Sequence, residues 1–193
     1  MNDKIFPESK WKRLVSKERD ESLNREKFFE ISKPHKDEVW ADIGCGPGYF
    51  TLPLAHKVKK IFAIDISEKM LTVCKKRAEK ESLNNIEYIE STGESINLQP
   101  DTLDKALLVN VLHEFIDKEK AVREINKLLH LKGYAFVIDW KYEDMDFGPP
   151  FGHRLPTQKV VHDFITNGFT FLHSWIIYEH FYFLVFKKTK ELE

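Results

Sequence analysis

The stretch Glu38–Thr51, Glu-Val-Trp-Ala-Asp-Ile-Gly-Cys-Gly-Pro-Gly-Tyr-Phe-Thr, constrains this chain more than any other. It reads as a short apolar strand, an acidic residue, and a glycine-rich turn that opens into a helix. Glycines at 44, 46 and 48 remove the Cβ atoms that would hold a ligand away from the backbone. A helix beginning there aims its free N–H groups and the positive end of its dipole at whatever sits above the turn. The local physics therefore predicts a site for a polar or anionic small-molecule group at the carboxyl end of a strand.

The rest of the chain alternates strand and helix signals. Strand 38–43 leads to helix 48–58, and strand 60–66 to helix 67–83, with Ser67 and Glu68 as cap and first-turn acid. Strand 86–91 leads to a polar loop over 92–101. Strand 103–110 leads to helix 117–131, ended by Gly133, and strand 134–140 follows. Short apolar strands separated by helices predict an α/β fold, a mostly parallel, doubly wound sheet in three layers with helices on both faces. After a loop at 141–156 and a helix near 157–167, residues 169–187 hold two aromatic-rich strands. So little separates these strands that they must be antiparallel, a C-terminal hairpin at the sheet edge. Core packing accounts for most of the aromatic crowding between Phe164 and Phe186; a second reading gives part of it to a homodimer surface.

With 193 residues the chain fits one domain over 35–193 plus a helical extension or lid over 1–34. Residues 8–32 carry the spacing of one or two amphipathic helices. Acidic and basic residues interleave along 10–21, which makes a solvated face a better reading than an RNA-binding arm. The formal net charge of -1 gives no general attraction to nucleic acid or to an anionic membrane. The apolar runs of a signal peptide or membrane span are not seen, so a cytoplasmic location is expected. Cys45 and Cys74 make no disulfide framework and read as small buried thiols. The eight histidines show no metal-ligand spacing, and no metal is expected.

The glycine turn discriminates between ligands. A dinucleotide fingerprint, G-x-G-x-x-G, needs a small residue three after Gly46, where Tyr49 stands. A pyrophosphate gains nothing from Asp42 just ahead of the turn. No Gly-Lys-Ser/Thr follows, which excludes a P-loop. An acid beside the turn suits a ligand that carries a cation together with a carboxylate.

Asp42-Ile-Gly44-Cys45-Gly46-Pro-Gly48 closely resembles the first motif of the class I S-adenosylmethionine-dependent methyltransferases. Ile64-Asp65-Ile66-Ser-Glu-Lys-Met70-Leu71 resembles that family's second-strand motif. Leu103-Asp104 through Asn110-Val-Leu-His113-Glu114 resembles the fourth, and Leu131–Tyr134 with Val137–Trp140 the fifth. The resemblance covers about residues 35–140 and implies a seven-stranded sheet with one reversed strand and S-adenosyl-L-methionine as cofactor. It places Gly44, Gly46 and Gly48 against the methionine end, Asp42 near the amino group and Asp65 on the ribose hydroxyls. It also puts Cys45, Ile66, Met70 and Asn110 beside the cofactor and Glu94 near the adenine amino group.

In-line methyl transfer mainly requires alignment of the acceptor, with a general base only where the acceptor starts protonated. His113, Glu114 and Asp139 are the candidates for that work, His113 because it titrates in the useful range. His113 can equally pack beside the cofactor. Loop 141–156 resembles a Gly-Pro-Pro…Arg-Leu segment of small microbial methyltransferases, with Trp140, Phe147 and Arg154 as candidate acceptor contacts. The competing reading makes it a connector that caps the next helix. The absence of Asn/Asp-Pro-Pro-Tyr/Phe after Asn110 argues against acceptors that are planar amino groups of adenine or glutamine. A small-molecule acceptor is the expectation. The alternatives are an RNA or protein methyltransferase and a non-catalytic binder of the same cofactor; a nicotinamide oxidoreductase is the weakest.

Overall fold

The structure, a computed structural model, describes residues 6–192, so the first five residues of the N-terminal segment lie outside it. Seven strands form one sheet in the order β3-β2-β1-β4-β5-β7-β6. They are β1 Val39–Ile43, β2 Lys60–Asp65, β3 Ile86–Glu90, β4 Leu103–Val109, β5 Leu129–Trp140, β6 Phe169–Trp175 and β7 Phe181–Lys188. β1 to β5 pair in parallel, β7 runs antiparallel to β5, and β6 runs antiparallel to β7 on the edge. This is the expected mostly parallel sheet with its C-terminal hairpin.

Alternation along the strands sends residues to two cores. On one face, Trp40, Ile61, Leu107, Phe136 and Phe183 pack beneath α2 (Arg25–Ser32) and α3 (Thr51–Ala55), with α4 (Glu68–Lys80) beside them. On the other, Ile43, Ile64, Leu108, Val137 and Leu184 pack beneath α5 (Lys118–Leu128) and α6 (Thr157–Thr166). The N-terminal region contributes to the first core. Phe28 of α2 is fully buried, with its ring 5.3 Å from Phe50, 5.7 Å from Phe136 and 6.2 Å from Trp40.

Several boundaries differ from the sequence expectation, each for a local reason. The helix expected over 48–58 is only Thr51–Ala55, because Gly46 and Gly48 have φ of 53° and 84° and continue the turn. The helix expected to reach 131 stops at Leu128, and β5 begins at once. Gly133 caps nothing. It lies within the strand, where a Cβ would come within 2.9 Å of the Asp104 and His130 carbonyls, and Lys132 beside it takes φ 74°. Upstream, Glu8–Val15 is a 3-10 helix and α1 (Lys17–Ser22) a short α-helix. An eight-residue 3-10 run is long for that geometry and depends on contacts outside itself.

The expected Ser67 cap is present, and a second cap, at Asp117, was not read from the sequence. Ser67 Oγ accepts from the Met70 N–H at 3.1 Å at the start of α4, and Asp117 accepts from the Lys120 N–H at 2.9 Å at the start of α5. Among the described residues no helix is long and apolar enough to cross a membrane.

Phe28→Ala should leave a cavity among five aromatic rings and lower unfolding free energy by about 3–5 kcal/mol. Urea denaturation of the variant measures it; a loss under about 1 kcal/mol would mean that α2 is peripheral to the core.

Candidate active site

β1 leads to β2 on one side and is flanked by β4 on the other, so the sheet order reverses between β1 and β4. In doubly wound sheets a crevice opens at that point beyond the carboxyl ends of the strands. The glycine turn and Asn110 flank it.

The turn is held by three backbone bonds. Gly44 and Cys45 donate to the Ile64 carbonyl at 2.8 and 3.0 Å, and Gly48 to the Cys45 carbonyl at 3.0 Å. All three glycines take positive φ, and their spare space differs. A Cβ on Gly44 would drive into Val111, and one on Gly48 would meet Cys74 Sγ at 2.6 Å. At Gly46 the only atom of the described residues within reach is Leu14 Cδ1 at 3.5 Å, so its bare backbone faces the N-terminal segment rather than the core.

Asp65, at the end of β2, binds backbone with both oxygens. Oδ2 accepts from the Gly46 N–H at 2.8 Å and Oδ1 from the Ser67 N–H at 2.9 Å. Burial pushes its pKa up against the pull of those donors. Asp42 lies under the turn on the same face, almost fully buried, and accepts from Thr51 Oγ1 at 2.6 Å. Burial raises its pKa to about 7. Asn110 leaves β4 in the left-handed region, φ 53°, and both its amide atoms are buried without a partner among the described residues. Cys45 and Met70 are buried, whereas Ile66 is half exposed. Glu94 spends Oε1 on the Ile116 and Asp117 N–H groups, at 2.9 and 3.1 Å, tying its loop to the start of α5.

On the other face of the sheet, Asp139 ends β5 and receives three donors. His113 Nδ1 lies 2.7 Å from Oδ1, the Trp140 N–H donates to Oδ1 at 2.8 Å, and the His113 N–H to Oδ2 at 3.2 Å. Burial disfavours the His113 cation, but Asp139 outweighs it and the pKa is raised. His113 Nε2 is 4.0 Å from Glu114 Oε1. Burial brings Glu114 up to about 7, and the Phe6 N–H donates to it. The three residues singled out for proton chemistry therefore do meet.

The loop after β5 answers a different question. Arg154 is buried and donates to the carbonyls of Glu143, Phe147 and Pro149, and its guanidinium lies 5.8 Å over the Trp140 ring. It staples the loop closed and offers no free fork to an acidic ligand. Trp140 is edge-on to Phe147 at 6.0 Å, and Phe147 is half exposed.

Sequence reasoning missed two side chains and one contact of a third. Tyr182 sits opposite Asp139 in the β5–β7 ladder with its hydroxyl buried and unpartnered, hidden in a run of core aromatics. Ser67 Oγ donates to Glu8 at 2.5 Å, strapping the 3-10 segment across the turn. Arg19 projects a buried, unpartnered Nε beside Tyr49. The interleaved charges of 10–21 hid it, and the expected fully solvated face is interrupted there. Among the described residues no group of three or more His, Cys, Asp or Glu side chains is placed to hold a metal ion.

A family model described as a methyltransferase domain matches residues 41–137. The uncharacterized methyltransferase YcgJ of Bacillus subtilis is 25% identical over 126 residues, covering 65% of this chain and 45% of that protein. The ubiquinone biosynthesis O-methyltransferase of Methylocella silvestris is 30% identical over 117 residues, covering 61% and 44%. The match thus spans under half the length of each of these two relatives. A solved SAM dependent methyltransferase from Aquifex aeolicus superposes with a TM-score of 0.89 at 24% identity, covering 96% of this chain and all of that one.

Glu114 and Asp42 keep their protons to about pH 7 in the fold, whereas unfolded carboxyls ionise near ~4. Between those values the folded state binds more protons, so stability falls as pH rises through the window. Glu114→Gln removes one contribution, and its unfolding free energy should fall less than wild type's between about pH 5 and pH 8 in urea titrations. Identical slopes would contradict the burial of this carboxyl.

Proposed function

The chain belongs to the class I S-adenosylmethionine-dependent methyltransferase family, and from that premise we propose that it transfers a methyl group to a small-molecule acceptor. The carrying observation is Asn110. A buried amide whose donor and acceptor both lack a partner among the described residues, at the sheet's switch point, suits a polar ligand. The residues present suit S-adenosylmethionine: Gly46 leaves room for its methionine end, Asp42 suits its ammonium, and Asp65 lies where a ribose diol would reach it. Ile66 and Met70 offer apolar contact past the ribose, Cys45 lines the turn, and Glu94 keeps its second oxygen for the adenine amino group. When bound, the cofactor supplies a methyl group on a sulfonium, already activated for attack.

The chain's own work is alignment and proton handling. Asp139 holds the His113 ring by Nδ1, which leaves Nε2 as the basic nitrogen and points it toward Glu114. Glu114, ionising near neutrality, takes the acceptor's proton as the new bond forms, either directly or through His113 Nε2. Trp140 and Phe147 form an apolar wall at the mouth, which excludes water and suits an uncharged, partly apolar acceptor. The same absence of broad basic charge that weakens a nucleic-acid reading supports a small acceptor, as does the relative named for ubiquinone biosynthesis.

Calorimetric titration with S-adenosylmethionine and with NAD tests the cofactor. Binding of the former and not the latter is expected, and the reverse would overturn the proposal. Asp65→Ala should weaken S-adenosylmethionine at least about tenfold, since it removes the diol acceptor and frees the turn; unchanged affinity would refute the assignment.

A further inference from the structure

Two guanidinium groups lie over the ring of Tyr49, Arg25 at 4.7 Å and Arg19 at 5.2 Å from its centroid. Their surroundings differ. Arg25 is neutralised by Asp20, with Nε donating to Oδ1 at 3.1 Å and a terminal nitrogen 3.0 Å from the same oxygen. Tyr49 is pinned too, its single O–H shared between two acceptors, Asp20 Oδ1 at 2.8 Å and the Leu23 carbonyl at 2.9 Å. The Arg19 side chain makes no hydrogen bond or ion pair with any described residue, and its Nε is buried without a partner. A buried N–H left unmade costs on the order of 1–3 kcal/mol. A pinned ring holding a guanidinium whose buried Nε has no partner suits an acceptor that comes from outside the chain.

What that acceptor is follows from the neighbouring charge. Burial pulls the Arg19 pKa down to about 10, so it stays cationic at neutral pH, and Asp42 is close enough to favour that cation. Yet the two form no ion pair. A guanidinium and a carboxyl that act on each other without pairing match a ligand end bearing both charges, an α-amino acid zwitterion. Arginine's planar fork suits a carboxylate, which it can hold by two parallel N–H···O bonds.

We propose that Arg19 binds the α-carboxylate of the cofactor's methionine end while Asp42 takes its ammonium. The inference rests on the cofactor reading above and adds a residue from outside the sheet. Because Arg19 is on α1, the ligand becomes the tie between the N-terminal segment and the turn, joining the Ser67–Glu8 and Phe6–Glu114 contacts that already strap that segment down.

Calorimetry on the full chain tests this with two ligands that share a nucleoside thioether. S-adenosylhomocysteine carries the amino-acid end, and 5′-methylthioadenosine lacks it. Arg19→Gln should weaken S-adenosylhomocysteine at least about tenfold and leave 5′-methylthioadenosine within about twofold. Equal losses on both ligands, or a loss on neither, would overturn the proposal. If Arg19→Gln unfolds, Arg19→Lys keeps the charge and the stem while losing the fork. It should narrow the preference for S-adenosylhomocysteine, and an unchanged preference would count against the assignment. Failure of wild type to bind S-adenosylhomocysteine at all would overturn the cofactor reading along with it, so the two failures are distinguishable.

Discussion

The carboxylate of Asp65 is the one group on which the ligand end of this fold depends. Its two oxygens hold the Gly46 and Ser67 N–H groups, so it joins the end of β2 to the glycine turn and to the first residue before α4. Ser67, fixed by that bond, caps α4 with its hydroxyl oxygen and donates the same hydroxyl to Glu8. A strand end, a turn, a helix start and the N-terminal strap are thus bound through one side chain. Burial opposes its charge, and the two backbone donors keep the opposition in check.

Around that carboxylate the site divides by sheet face. Asp42 and Asp65 lie on the face of α3 and α4, beside the glycine turn. Asp139, His113 and Glu114 lie toward α5, where proton chemistry needs a base poised near neutrality. The balance of these groups is acidic, which suits a ligand with an ammonium and a sulfonium and disfavours a pyrophosphate. Arg19 is the exception, a cation to which the proposal assigns the ligand's carboxylate.

What the sequence made legible is what periodicity and spacing encode. Apolar runs separated by helical segments marked every strand, and the close spacing of the two aromatic strands required the antiparallel hairpin. Asp65 reaches the glycine turn, and His113, Glu114 and Asp139 meet, as their positions suggested. The failures are tertiary. Gly133 resembles a helix cap, but only the approach of the Asp104 and His130 carbonyls shows why a glycine is needed inside β5. Arg154 resembles an anion-binding arginine until three loop carbonyls are seen to occupy it. Arg19 lies in a run of alternating charge with no spacing to distinguish it, and what marks it is a buried Nε with no partner.

The central claim is that one ligand bridges the glycine turn and the N-terminal strap. Amide hydrogen exchange with and without saturating S-adenosylmethionine tests it most directly. The account predicts slower exchange in both residues 44–48 and residues 8–23, with no comparable change along edge strand β6. Unchanged exchange in the turn, or protection of the turn with none in the strap, would contradict it.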